Sequence, residues 1–172
     1  MRLSMVHAVM VPSEPLRDAA KVLFRWDLNH YRHGEIVMPH GDCIGTIDQV
    51  ERSSTYEVRD RNGVCVWQLL QTPGGPLVAA HDPDGRELVY LARPRWLSLA
   101  DQVMVDDLAI GSRSRLGKVR DSGGTQMLRV KRTALMTRRE VAVTFTPGIS
   151  LPWRVLGYAL AVQRGTASGG GA

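Results

Sequence analysis

Cationic side chains crowd the second half of this sequence. Between Arg86 and Arg139 twelve Lys/Arg stand against five Asp/Glu, a net charge of +7 in a chain of 172 residues whose total is +5. Arg113, Arg115, Lys118 and Arg120 flank one turn-like segment, and Arg129, Lys131, Arg132, Arg138 and Arg139 flank another. In an extended strand, residues two apart share a face, so Arg113 with Arg115 and Arg129 with Lys131 would each point the same way. A guanidinium grips a phosphate with two parallel N–H donors, and each basic side chain near an anionic lipid surface contributes ~1 kcal/mol. Arg113, Arg115, Lys118, Arg129 and Lys131 are therefore the candidate ligand-binding set, with an anionic head group as the expected ligand. A protein partner at the membrane surface is the other expected occupant. The same cations could hold nucleic-acid phosphates, but Trp67, Tyr90 and Trp96 do not interleave with them as a base-stacking platform requires. A solvated arginine-rich surface is the simplest alternative of all.

Other constellations carry less. His30, His33 and His40, with Asp27, Asp42 and Cys43 near them, have metal-ligand residue types. The His-x-x-His pair lies in a segment, Asn29 to Gly34, that reads as a loop, and no third ligand is fixed by spacing, so no metal is expected. Ser53, Ser54, Cys43 and Cys65 lack any nucleophile-elbow context, and Gly74-Gly75 after Pro73 is a turn and not a phosphate cradle. Asp60, Asp82, Asp84 and Asp121 fall in hairpin turns, where aspartate is favoured for backbone reasons. No catalytic residue and no cofactor are expected, and an enzyme is the least supported class.

The elements that must position these residues are mostly strands. Tyr56 to Trp67 and Val78 to Leu91 each read strand, Asp/Gly-rich turn, strand, and fainter copies precede Ile44 to Val50 and Met127 to Arg132. A further strand pair is expected at Gln102 to Asp106 and Arg115 to Arg120. Val141, Val143 and Phe145 alternate with Ala142, Thr144 and Thr146 in one more half-buried strand. A helix follows, with Ser150 as N-cap, Pro152 in the first turn and Gly165 as the C′ glycine. Its residues Trp153, Val155, Leu156, Tyr158, Leu160 and Val162 cover every face, so it must be buried all round. At ~1.5 Å per residue it is about 18 Å long, too short to cross a membrane.

Near the start, Ser13 to Leu28 reads as another helix, with Leu16, Ala19, Ala20, Leu23 and Phe24 at i, i+3, i+4 spacing. The organisation expected is an N-terminal extension over 1–35, a barrel over 36–164 with its helix at 151–164, and a flexible glycine-rich tail over 165–172. Nine or ten strands can be found after Ile36, so either Met1 to Val11 supplies the first strands or the barrel is incomplete. Pro12 and Glu14 interrupt the apolar start where a secretory segment would continue, so the cytoplasm is the expected compartment, with the membrane periphery as the alternative within it. A sheet curling around one wholly apolar helix gives the strands a core and removes exposed edges. The predicted fold is mainly β: an antiparallel barrel wrapped around a hydrophobic C-terminal helix, with an extra N-terminal helix.

The order YEVRDRNGVCVW (Tyr56 to Trp67), DPDGRELVYLARP (Asp82 to Pro94) and VAVTFTPGISLPWRVLGYALAV (Val141 to Val162) resembles the phospholipid scramblase and LURP-one-related proteins. These share the tubby C-terminal-like fold, and the resemblance covers roughly Ile36 to Arg164. It implies a twelve-stranded barrel around a hydrophobic C-terminal helix, and a non-enzymatic protein acting at lipid surfaces. The lipidated cysteine cluster and the acidic calcium segment of eukaryotic scramblases have no counterpart here. In tubby-like proteins a basic pocket binds phosphoinositide head groups, but no single residue here can be matched to it.

Overall fold

Val22, Phe24 and Trp26 alternate with Leu23 and Arg25, and this period of two, not the helical spacing, governs the local structure. The structure, a computed structural model, describes residues 14–27, 30–51, 53–71, 78–93, 100–114, 116–134 and 139–166. The expected long N-terminal helix is confined to α1 (Glu14–Asp18), after which β1 (Lys21–Asp27) and β2 (His30–Val37) are strands. Leu16 and Ala19 do turn inward from the helical segment. The β-branched and aromatic run that follows pairs on both sides, and that tertiary pairing overrides the helical pattern.

The remaining strands are β3 (Cys43–Gln49), β4 (Thr55–Asp60), β5 (Cys65–Gln71), β6 (Val78–His81), β7 (Glu87–Ala92), β8 (Asp101–Val105), β9 (Leu108–Arg113), β10 (Lys118–Asp121), β11 (Gln126–Ala134) and β12 (Arg139–Phe145). Each pairs antiparallel with its neighbours in sequence, and β1 pairs with β12 from Lys21↔Thr144 to Trp26↔Arg139, closing a twelve-stranded barrel. The two strands missing after Ile36 thus come from 21–37, inside the segment read as an extension. Met1 to Val11 lies outside the described residues, as does most of the expected tail. The pair expected at 102–106 and 115–120 is in fact three strands, β8, β9 and β10. Sequence reading missed β9 because its entry turn has no glycine: Asp106 and Asp107 themselves take left-handed φ of 49° and 61°.

Three hairpins share one turn. The Oδ1 of Asp60 accepts from the N–H of Asn62 (2.9 Å) and Val64 (3.0 Å), that of Asp82 from Asp84 (3.0 Å) and Arg86 (2.9 Å), and that of Asp121 from Thr125 (2.8 Å). Gly63, Gly85 and Gly124 supply the positive φ (76°, 86° and 85°) that closes each loop into its strand with a bulge. The aspartates expected to be turn residues are turn residues.

The C-terminal helix, α2 (Leu151–Thr166), lies inside the barrel. Every residue from Trp153 to Val162 is buried, which covers all faces of the helix. It touches β12, β11 and β1 on one side and β5, β6 and β7 on the opposite wall. Leu156 and Leu160 are 0% and 2% exposed, as the all-apolar wheel required. Tyr158 sits at the centre against Phe24 (5.2 Å between ring centroids), Trp67 (5.0 Å) and Phe145 (6.1 Å). Gly165 is not the C′ glycine expected: it is still helical, and a Cβ there would lie 2.1 Å from Trp26 Nε1. Packing against the tryptophan requires glycine.

Arg154, the one charge in the buried span, is 5% exposed, and no carboxylate among the described residues forms an ion pair with it. Its Nη1 donates to the Ala19 carbonyl (2.8 Å) and its guanidinium lies 4.2 Å above the Phe145 ring. Burial lowers its pKa, opposed by Tyr158 and Asp18. The Tyr158 hydroxyl, whose pKa burial raises, donates to the Leu16 carbonyl (2.9 Å). Two side chains of the core helix therefore hold the 16–19 segment against the barrel.

Candidate functional site

In β10, β11 and β12 the inward residues Val119, Leu128, Val130 and Val143 alternate with outward Lys118, Arg129, Lys131 and Thr144. The register turns this alternation into a row. Lys118 pairs with Arg129, Arg129 with Thr144, and Thr144 with Lys21 of β1. Directly opposed side chains on neighbouring strands have Cβ atoms ~5 Å apart, so three cations from four strands line up across the outer wall. Lys131 stands two residues along β11 on the same face. Lys21, Arg129 and Lys131 are exposed, Lys118 is half-buried, and none of the four forms an ion pair among the described residues.

A carboxylate of β12 on this outer face is already engaged. Glu140 of β12, 8% exposed, takes the Arg25 guanidinium at 3.0 Å and the Thr133 hydroxyl at 3.2 Å. Like charges set directly opposite repel, and Lys118 opposite Arg129 is such a pair. An anion resting on the row converts that repulsion into attraction. The wall is convex, so what it offers is a charged surface and not a pocket.

Three of the five residues singled out by sequence meet here: Lys118, Arg129 and Lys131. Arg113 does not. It ends β9 pointing to the C-terminal end of α2, where Nε and Nη2 reach Asp101 Oδ2 (3.1 and 2.5 Å) and Nη1 reaches Gln163 Oε1 (2.6 Å). Asp101 also receives Arg93 Nε at 3.4 Å, so Arg113 belongs to an ion-pair cluster that ties the barrel wall to the helix. Arg115 lies outside the described residues. Lys21 is the member that sequence reading missed, because its segment was read as helix; the Val-x-Phe-x-Trp alternation beside it was the available signal.

The histidines scatter. Of the segment Asn29 to Gly34, expected to be a loop, His30 to Gly34 belong to β2 and Asn29 lies outside the described residues; His33 Nδ1 meets Asp48 Oδ1 at 2.6 Å and His40 Nε2 meets Asp42 Oδ2 at 2.9 Å, in two separate exposed pairs. The side chains of Asp27 and His30 are outside the described set. Among the described residues no three His, Cys, Asp or Glu side chains converge as metal ligands would. Cys43 is exposed on β3. Cys65 on β5 is half-buried, its thiol pKa raised by burial and then by Glu57. Ser53 spends its hydroxyl on the Val50 carbonyl at 2.5 Å.

Neither a family model nor a curated protein sequence matches the chain. A solved structure does: that of the Arabidopsis thaliana protein AT5G01750, a LURP-one-related protein. The TM-score is 0.56 at 12% sequence identity, over 90% of this chain and 99% of the plant one. The likeness is one of fold: a closed twelve-stranded barrel with a C-terminal helix. No described helix is long and apolar enough to cross a membrane.

Proposed function

We propose that this protein is a non-enzymatic, scramblase-like binding barrel that docks on anionic phospholipid at a membrane surface, from the cytoplasmic side. The observation that carries the reading is the outward row of Lys21, Lys118 and Arg129, with Lys131 beside it, none of which forms an ion pair among the described residues. The bore is occupied by the chain's own helix, which directs a ligand to the outside of the barrel. The likeness to a LURP-one-related fold agrees with this reading but, at 12% identity, speaks to fold alone. The same row could meet nucleic-acid phosphates. Among the described residues, however, the tryptophans Trp26, Trp67 and Trp153 are all buried and offer bases no stacking face; Trp96 lies outside the described residues.

Co-sedimentation with vesicles tests the proposal. Binding is expected to phosphatidylcholine vesicles containing phosphatidylserine, to vanish at high salt, and to be absent with phosphatidylcholine alone. With ~1 kcal/mol per cation, the double reversal Arg129→Glu, Lys131→Glu should weaken binding about thirtyfold or more. Equal binding to neutral and anionic vesicles at low salt overturns the reading, and tighter, salt-sensitive binding to an oligonucleotide replaces it with the nucleic-acid one.

A further inference from the structure

At the barrel end where α2 begins, the strands leave a cleft of about 710 Å³ lined by Val105, Leu108, Ile110, Pro152 and Trp153 together with the Asp121–Gly123 turn. Gly111 lets Trp153 and β10 pack against β9 at the floor of this region: a Cβ there would meet Trp153 Cη2 at 2.7 Å and the Arg120 carbonyl at 2.1 Å. Leu108 stands at its lip 69% exposed, and Leu151, between two residues of the cleft wall, is 40% exposed. Leu108 is one of three large apolar side chains exposed among the described residues, and Val105, Ile110, Pro152 and Trp153 line the same cleft, so its exposure belongs to a shared apolar surface and is not isolated. The rim is acidic. Asp106 and Asp107 form the turn between Val105 and Leu108, and Asp121 closes the other side. Asp107 is held in place by the Tyr90 hydroxyl (2.9 Å), and Asp121 by the N–H of Thr125 (2.8 Å). Arg120 is the cation nearby, and it donates to the Gly124 carbonyl at 3.1 Å.

We infer that this cleft docks a short polypeptide segment in which an aliphatic or aromatic side chain is flanked by lysine or arginine. The cleft is open to solvent, which suits a segment lying across it better than an enclosed small molecule, and an apolar anchor with a charged surround is the arrangement of a binding hot spot. Charge complementarity selects the occupant. Asp121 in the lining and the Asp106–Asp107 turn between the lining residues Val105 and Leu108 repel the phosphates of an anionic bilayer or a nucleic acid, while a basic flank on a peptide is steered to them. The cleft is thus opposite in sign to the Lys21–Lys118–Arg129 row and independent of it.

Titration of the whole labelled protein with three capped hexapeptides, followed by amide NMR shifts, tests the inference. The peptides alternate lysine with leucine, glutamate with leucine, and lysine with serine. The lysine–leucine peptide is expected to bind, with shifts concentrated at residues 105–111, 121–123 and 151–153. The Leu108→Lys variant, at an exposed position that does not threaten the fold, should bind it about tenfold more weakly or worse. Asp106→Asn should weaken it less, and only at low salt. Equal binding of the lysine–serine peptide reduces the site to nonspecific charge and overturns the inference, as does preference for the glutamate peptide or the absence of shifts at millimolar peptide. Leu108-dependent dimerisation in sedimentation equilibrium, or Leu108-dependent binding to neutral vesicles, also overturns it by assigning the cleft to a second copy or to lipid.

Discussion

Replacing Gly157 by alanine sets two well-measured effects against each other inside α2. Alanine is the better helix former, by roughly 1 kcal/mol in a helix interior. The new Cβ, however, would lie 2.6 Å from Phe145 Cε1 and 3.0 Å from both Phe145 Cζ and Val143 Cγ1. Phe145 has little room to retreat. The Arg154 guanidinium is 4.2 Å above its ring, Tyr158 stacks on it at 6.1 Å and 21°, and the residue is 3% exposed. Overpacking a filled core costs about 1–3 kcal/mol, and with Phe145 held by both neighbours the cost falls in the upper half of that range, ~2–3 kcal/mol, so the clash should win and Gly157→Ala should lose a net ~1–2 kcal/mol. For a chain of this size that is a fall of about 3–6 °C in Tm, readable by circular dichroism and by a lower urea midpoint at unchanged slope. Trimming the obstacle should rescue it: Phe145→Leu is expected to cost less in the Gly157→Ala background than alone, with a coupling of at least ~0.5 kcal/mol. An unchanged or higher Tm for Gly157→Ala would show that the helix is free to shift and that the packing argument is wrong.

Three other expectations can be checked with single variants. Leu156→Asp should unfold the protein, because lost burial of ~1.5–3 kcal/mol and a several-kcal/mol charge penalty approach a total stability of about 5–15 kcal/mol; an unchanged melt would put the helix outside the barrel. Tyr158→Phe strands the buried Leu16 carbonyl and should cost ~1–3 kcal/mol, with the fastest gain in amide hydrogen exchange at residues 16–20; a uniform gain would deny the local tie. Toward Ellman's reagent Cys43 should react first. Cys65, its thiol pKa raised by burial, holds less thiolate at a given pH, so its reaction should lag and speed up on going to higher pH; equal rates would contradict the burial described.

The parts of this fold that were legible in the sequence are those where local chemistry and tertiary structure agree. Asp-x-x-Gly turns, the alternating Val141–Phe145 strand and the all-apolar wheel from Trp153 to Val162 each specify one conformation, and the chain adopts it. Lys21–Asp27 was illegible because two periodicities overlap there. Leu16, Ala19, Leu23 and Phe24 mimic a helical stripe, and only pairing with β12 and β2 selects the strand. The candidate site was half legible for a similar reason. Strand parity places Arg129 and Lys131 on one face wherever β11 pairs, but whether Arg113 faces water or Asp101 depends on the partner strand, which no spacing within β9 reveals. Lys21 joins the row through a register linking the two ends of the barrel, information that lies in no single stretch of sequence.

All strand pairs but one join neighbours in sequence, so each hairpin closes over a short loop at little entropic cost. The exception is the seam between β1 and β12, and α2 follows β12 after only a short turn. During synthesis, then, the chain can build most of its sheet early yet can neither seal it nor fill it. Phe24, Trp67 and Leu91 face an empty trough until the last elements leave the ribosome at about 5–20 residues per second. Seam and filler then arrive together, and Arg154 and Tyr158 fasten the earliest described segment to the latest helix. A growing chain of this design is exposed to misassociation for nearly its whole period of translation, and its maturation is concentrated in one late closing event.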